Sequence, residues 1–110
     1  MRYDSHCRIY GQFFGVTPEQ FKAHGTPLPY DCVAFLGGAT DIEHEGHLID
    51  VTPLVEAAVA LLPENREGHL DVIDHRAWSI TRYFIKNKTV KEETFDLDNI
   101  LEHTKNDGNW

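Results

Sequence analysis

The stretch from Trp78 to Phe95 constrains the fold most, because its two halves have the pattern of the two arms of one β-hairpin. Trp78 to Lys86 is rich in the aromatic and β-branched residues that favour strands. A turn at Asn87-Lys88 would return the chain through Thr89 to Phe95. The sequence therefore predicts a hairpin within a mainly antiparallel sheet. Its expected register gives favourable cross-strand pairs: Ile85 with Val90, Arg82 with Glu93, Thr81 with Thr94 and Ile80 with Phe95.

Four further segments have strand patterns. Apolar and polar side chains alternate from Tyr3 to Ile9, which predicts a half-buried strand with Cys7 facing inward. The run from Cys32 to Leu36 predicts a buried strand that stops at two glycines. Two more strands are expected, one around Leu48 to Val51 and a short one from Leu70 to Ile73.

Two short helices are expected near the ends of the chain. Thr17 and Gln20 have the spacing of a capping box, and a proline stands between them at the first helical position. This pattern predicts a helix near 17–24. A helical turn is expected near 98–103, followed by a frayed tail over 105–110.

The longest helical pattern begins with Thr52 as the N-cap and a proline at the first helical position. It runs to about Leu62, and Glu56 is its one polar side chain before Pro63. A helix that is apolar nearly all round is typical of a protein interior. The predicted fold class is therefore α+β: a mainly antiparallel sheet of four to six strands packed against one buried central helix, 52–62.

The length of the chain, 110 residues, fits a single compact domain over 1–110. Its longest apolar run, Ala57 to Leu62, falls far short of the roughly 20 residues that span a bilayer. The opening residues are too polar for a signal peptide. Two cysteines, Cys7 and Cys32, are too few for a disulfide framework, so we expect reduced thiols. Together these features predict a cytoplasmic protein.

Charge is distributed unevenly along the sequence. The net charge is −8; residues 41–75 hold nine acids against Arg66 alone, and residues 76–91 hold five bases and no acid. Phosphate backbones and anionic membrane surfaces repel a protein with this balance, because binding to them needs a surplus of lysine and arginine. We therefore expect no direct nucleic-acid binding, no membrane association and a basic protein partner.

The acidic segment 41–75 supplies the side chains expected to meet such a partner. Carboxylates there would pair with arginine and lysine, and their field would steer association from a distance. If the start of the segment is extended, Asp41, Glu43, Glu45 and His47 project from one face and His44 from the other. The predicted partner-facing acids are Asp41, Glu43, Glu45, Glu64, Glu67 and Asp71.

The same segment holds four of the seven histidines, which opens an alternative. Imidazole and carboxylate groups together are the ligand set of zinc and other divalent transition metals. The stretch from His44 to His47 is one residue short of the zincin motif and contains a glycine. On this alternative the chain is a small metal-binding domain or metalloenzyme whose ligands are His44, His47, His69 and His75.

The basic segment 76–91 has three interpretations. Its cations alternate with Trp78, Tyr83 and Phe84, a mixture that binds single-stranded nucleic acid through charge and stacking. The acidic runs on either side would weaken such binding at physiological salt. The basic hairpin of one copy would equally fit the acidic segment of another and give a homodimer. The third interpretation is neutralisation within the chain, for example of Arg82 by Glu93.

In composition alone, the chain resembles the small acidic inhibitor proteins, such as anti-CRISPR proteins of phages and immunity proteins that cap nuclease toxins. Those proteins present carboxylates to surfaces built for nucleic acid or to a basic catalytic groove. The resemblance implies a non-enzymatic inhibitor that masks a basic, nucleic-acid-handling partner and needs no cofactor. The two serines, Ser5 and Ser79, lack the pattern of a nucleophile elbow, so catalysis by serine is not indicated.

Overall fold

A computed structural model describes residues 7–96, which form one six-stranded antiparallel sheet and two short helices. The strand order is β2-β3-β1-β4-β5-β6. The predicted antiparallel sheet of four to six strands is therefore confirmed. The expected helical turn near 98–103 and the tail 105–110 lie outside the described residues. Along the chain the elements are β1 (Cys7–Phe14), α1 (Pro18–Ala23), β2 (Cys32–Leu36), β3 (Ala39–Gly46), α2 (Thr52–Leu61), β4 (Glu67–Asp74), β5 (Ser79–Lys86) and β6 (Thr89–Asp96).

The hairpin of β5 and β6 has the register that the sequence predicts. Its turn residues Asn87 and Lys88 both have positive φ, 55° and 63°. Two positive φ values are what a type I′ turn requires, and the twist of that turn matches the twist of the strands it joins. All four expected pairs are present: Ile85 with Val90, Arg82 with Glu93, Thr81 with Thr94 and Ile80 with Phe95.

β1 lies between β3 and β4, and its alternating side chains define the two faces of the sheet. Cys7, Ile9 and Phe13 point to one side and are fully buried, which confirms the inward orientation expected for Cys7. We call this side the core face. Phe13 packs edge-to-face on Phe21 of α1, with ring centroids 5.4 Å apart. The hydrophobic cluster on this side also contains buried side chains of α2, β3, β4 and β5.

The capping box expected at α1 is present. The backbone N–H of Gln20 donates to Thr17 Oγ1 at 3.2 Å, and the backbone N–H of Thr17 donates to Gln20 Oε1 at 2.8 Å. These reciprocal bonds satisfy two donors that a helix start otherwise leaves free. The observed helix, Pro18–Ala23, therefore begins and ends one residue inside the predicted range 17–24.

α2 begins where expected but is capped differently. Its N-cap is Val51, not Thr52, and no side chain caps it. Asp50 instead accepts a hydrogen bond from the backbone N–H of Thr52 at 3.0 Å, and this bond lowers the pKa of the Asp50 carboxyl. The helix is not buried all round, because one side is exposed to solvent. Leu54, Val55, Ala57 and Ala58 are buried, whereas Pro53, Glu56 and Ala60 are exposed.

Two strand predictions need correction. The prediction that Cys32–Leu36 is a buried strand was wrong about burial, because β2 is the edge of the sheet and Leu36 is 62% exposed. An apolar run is also typical of strands buried on both faces, and periodicity alone does not separate the two cases. Residues 48–51 form no strand; the strand before α2 is β3, whose polar alternate residues resemble a loop in sequence.

Candidate functional site

The side of the sheet opposite the core face, called the open face below, carries alternate residues of all six strands. Because the strands are in register, the side chains of the open face form rows across the sheet. The helices contribute their buried residues to the core-face cluster, within the part of the chain that the structure describes. Two rows form the centre of the open face: Cys32, Glu43, Tyr10, Asp71, Arg82 and Glu93, and beside it Ala34, Asp41, Gln12, His69, Phe84 and Lys91.

The structure brings five of the six predicted partner-facing acids to the open face. Three lie on β3, where alternate residues of a strand are about 6.8 Å apart and so form an evenly spaced row. Two lie on β4, on the far side of β1. The sixth, Glu64, is exposed in the turn after α2 and does not belong to the sheet. The five that share the face are Asp41, Glu43, Glu45, Glu67 and Asp71.

Three of these acids are paired with cations of the same chain. Glu45 contacts the Arg8 guanidinium at 3.2 Å, and this hydrogen bond raises the pKa of Arg8. Glu67 pairs with Lys86 at 3.8 Å, and Asp71 with Arg82 at 3.6 Å. All three pairs are partly exposed, and exposed ion pairs contribute about 0–1 kcal/mol each.

The pairs on β4 bear on the interpretation of the basic segment. Neutralisation within the chain does occur, since Lys86 and Arg82 each face an acid of β4. The ion pair expected from the sequence, between Arg82 and Glu93 of β6, is replaced by one between Arg82 and β4. Arg82 contacts Asp71, whereas Glu93 lies 3.5 Å from Lys91 of its own strand.

Asp41 and Glu43 differ from the other acids of the open face. Within residues 7–96 neither has a cation at ion-pair distance, and Asp41 Oδ1 is buried without a hydrogen-bond partner. The two carboxylates line a shallow depression of about 220 Å³ together with Tyr10, Gln12, His69 and Asp71. The ring of Tyr10 is 41% exposed beside them. This arrangement offers negative charge and an aromatic ring to one incoming cation.

The histidines of the metal alternative are distributed over both faces. His44 is buried on the core face, where its Nε2 lies 3.0 Å from the carbonyl oxygen of His47. His69 lies on the open face, and His75 lies in the turn after β4 with its ring 6.4 Å from that of Trp78. Among the residues that the structure describes, no group of three or more histidine, cysteine or acidic side chains is arranged to hold a metal ion. His47 follows β3, and its ring packs against that of the core-face residue His44, with centroids 5.4 Å apart, rather than beside Asp41 and Glu43.

Both cysteines are free thiols, as expected. Cys7 is fully buried in the core, and burial raises the pKa of its thiol. Cys32 is exposed at the start of β2, in the same row as Glu43. In the described range, neither helix has the length and apolar character needed to cross a membrane.

Sequence reasoning missed two residues of the depression, Tyr10 and Gln12. Both belong to β1, which continues five residues beyond the predicted end at Ile9. The signal was present, because alternate residues beyond Ile9 still include Phe13. The glycine at position 11 obscures it, since glycine is depleted in strands.

Comparison with known proteins gives no further guide to the site. No protein-family model, no curated protein and no solved structure matches the chain. What the protein does has therefore to be inferred from the chemistry of its own surface, and the open face concentrates that chemistry.

Proposed function

We propose that this protein is a non-enzymatic inhibitor that masks a basic, nucleic-acid-handling surface of a partner protein, and that it binds through the open face. One observation carries the proposal: Asp41 and Glu43 lie without a cationic partner, among the described residues, beside the exposed ring of Tyr10. Carboxylates in such a position attract arginine and lysine strongly, because charge-assisted hydrogen bonds are about twice as strong as neutral ones.

An arginine of the partner would enter the depression between β1 and β3. Its guanidinium group would donate to the carboxylate of Glu43 or Asp41 in the bidentate geometry that arginine favours. Its planar surface would stack on the ring of Tyr10, a contact worth about 0.5–1 kcal/mol at an exposed site. The depression is shallow, so it accepts a side chain presented by a surface.

The rest of the open face extends this site across several strands. The β3 carboxylates form an even row, and proteins that handle nucleic acid present arginine and lysine in series to contact phosphates. Glu45 and Asp71 are paired at present, but their exposed pairs with Arg8 and Arg82 exchange easily for cations of the partner. The net charge of −8 would steer the encounter.

The proposal agrees with the compositional resemblance to anti-CRISPR and toxin-immunity proteins. A protein of this kind acts in the cytoplasm, where its partner meets nucleic acid. It needs no cofactor, because its effect is to occupy a surface.

Neutralising the two unpaired acids tests the proposal. The variant Asp41→Asn/Glu43→Gln is expected to bind an arginine-rich nonapeptide at least about tenfold more weakly than the original protein, a difference of about 1.4 kcal/mol. The physical reason is the loss of both charge-assisted contacts at the depression. Titration calorimetry or fluorescence anisotropy, at about 0.15 M salt so that distant charges are screened, measures the difference.

A matched control separates the site from the net charge. The variant Glu56→Gln/Glu64→Gln removes the same two charges from exposed positions on α2 and in the turn after it. Its affinity is expected to stay within about twofold of the original, because screening weakens charges away from the contact. An equal loss in both variants, or no binding of the peptide by the original protein, would overturn the proposal.

A further inference from the structure

The two edges of the sheet differ in how they are protected. β6 carries four charged residues on its eight positions, a common device against pairing with another chain. β2 reads Cys-Val-Ala-Phe-Leu, without charge, proline or bulge. In the described part of the chain it pairs with β3 alone. Phe35 and Leu36 are 48% and 62% exposed on this bare edge.

We propose that β2 pairs antiparallel with β2 of a second copy about a two-fold axis. The pairing would join two six-stranded sheets into one continuous sheet and make the protein a homodimer. This inference does not rest on the proposed function, because the open-face acids take no part in the pairing.

The hairpin of β2 and β3 decides which backbone groups face outward. It closes through Gly37 and Gly38, both with positive φ, and Leu36 pairs with Ala39 next to the turn. In a two-residue hairpin this closing pair is hydrogen-bonded, and hydrogen-bonded pairs alternate along an antiparallel ladder. The backbone N–H and C=O groups of Val33 and Phe35 therefore point away from β3, toward the free edge.

These outward groups fix one register for the second copy. Val33 of one copy stands opposite Phe35 of the other, so the two-fold axis passes between the two Ala34 residues and Cys32 faces Leu36. Every cross-strand pair is then apolar, and the two hydrogen-bonded pairs each exchange both N–H···O bonds. The two neighbouring registers that keep outward-facing residues opposite each other would pair Asp31 of one copy with Phe35 of the other, or Gly37 with Val33. The centred register is the one that overlaps all five residues.

A groove on the core side of β2 supplies room for the second copy. It has a volume of about 450 Å³ and lies between α1 and β2, with Leu28, Tyr30, Val33 and Phe35 among its lining residues. In the centred register Phe35 of the second copy stands opposite Val33, on the same side of the sheet, and so projects toward this groove. The two-fold axis places each Phe35 at the groove of the other copy, which covers both exposed rings.

Cross-linking tests the register directly through the variant Leu36→Cys. Positions 32 and 36 of the two copies would form a pair without ladder hydrogen bonds, with Cα atoms about 4.5 Å apart. That separation lies within the range of disulfides, about 4.4–6.8 Å. Within one chain the same positions are about 13 Å apart along the strand and cannot bridge. On mild oxidation we expect most of the variant to migrate as a covalent dimer, with the bridge mapped between positions 32 and 36.

Two controls make the result specific. Adding Cys32→Ser to Leu36→Cys should abolish the covalent dimer, because the two copies of position 36 lie far apart in this register. Val90→Cys places a thiol at a partly exposed position of the β6 edge and should give little dimer while Cys32 is kept. Equal yields from Leu36→Cys and Val90→Cys, or a bridge between two copies of position 36, would overturn the register.

Sedimentation velocity tests the dimer without any cross-link. We expect the dimer to have a dissociation constant of about 1 μM or less. At about 100 μM the unmodified protein should therefore sediment as a dimer. Phe35→Lys places a charge on the edge and should sediment as a single chain, whereas Val90→Lys, a matched change at the other edge, should remain dimeric. A single-chain mass for the unmodified protein would overturn the proposal.

Discussion

Replacing Phe13 with alanine is expected to lower the free energy of unfolding by about 3–5 kcal/mol, the usual cost of removing a buried aromatic ring. Phe13 is fully buried near the end of β1 and contacts the ring of Phe21. Its surroundings are tight: a β-carbon added at Gly68 would lie 2.7 Å from its ring. Since domains of this size are stable by about 5–15 kcal/mol, the loss takes a large share of the total. Denaturant unfolding at neutral pH measures it.

A phenylalanine on the open face gives the matched comparison. Phe84 is 43% exposed, so Phe84→Ala removes the same atoms but less buried area than Phe13→Ala does. Its effect is expected to be about 1 kcal/mol or less, because half of the ring already contacts water. Similar losses in the two variants would contradict the assignment of Phe13 to the core.

Alkaline pH is expected to destabilise the protein through Tyr30. This side chain is 9% exposed, and burial, aided by the negative charge of Asp50, raises the pKa of its phenol to about 12. An unfolded tyrosine ionises near pH 10. Between these values the unfolded chain releases a proton that the folded protein retains. The stabilisation is therefore fully present below about pH 10 and is lost as the pH rises through about 12, by up to about 2.7 kcal/mol at 1.36 kcal/mol per unit.

The variant Tyr30→Phe isolates this contribution, because it keeps the ring and has no proton to lose. Free energies of unfolding from pH 8 to pH 12 should fall less steeply for the variant than for the original protein. Other groups that titrate in this range, including Tyr83, affect both proteins alike. Parallel curves for the two proteins would show that Tyr30 does not cause the alkaline loss.

The parts of the fold that depend on local chemistry were predictable from sequence. The register of β5 and β6 follows from side-chain pairs close to one turn, and α1 follows from a capping box of neighbouring residues. The strand order was not predictable, because β1 pairs with β3 and β4, which are distant in sequence. The burial of β2 was mistaken for the same reason, since nothing in five apolar residues says whether a second neighbour exists.

In the candidate site, too, some features follow from local sequence and others depend on which strands become neighbours. Alternation along an extended strand was enough to put Asp41, Glu43 and Glu45 on one face. Their association with Tyr10 and Asp71 depends on the three-strand register across β1. Which acids lack a cation could not be predicted either, because that depends on whether Arg8 and Arg82 lie within reach across the sheet.

The central position of β1 also has a consequence for how the chain folds. In the sheet, β2 and β3 form one block of neighbours in sequence, and β4, β5 and β6 form another. Each block closes through short loops and should form early, because local contacts lose little chain entropy on closure. Within the described sheet the two blocks meet through β1, which precedes the strands of both blocks in the chain. That strand stays unpaired on its β4 side until residues 67–74 have been synthesised, so its insertion between the blocks is the step that completes the sheet.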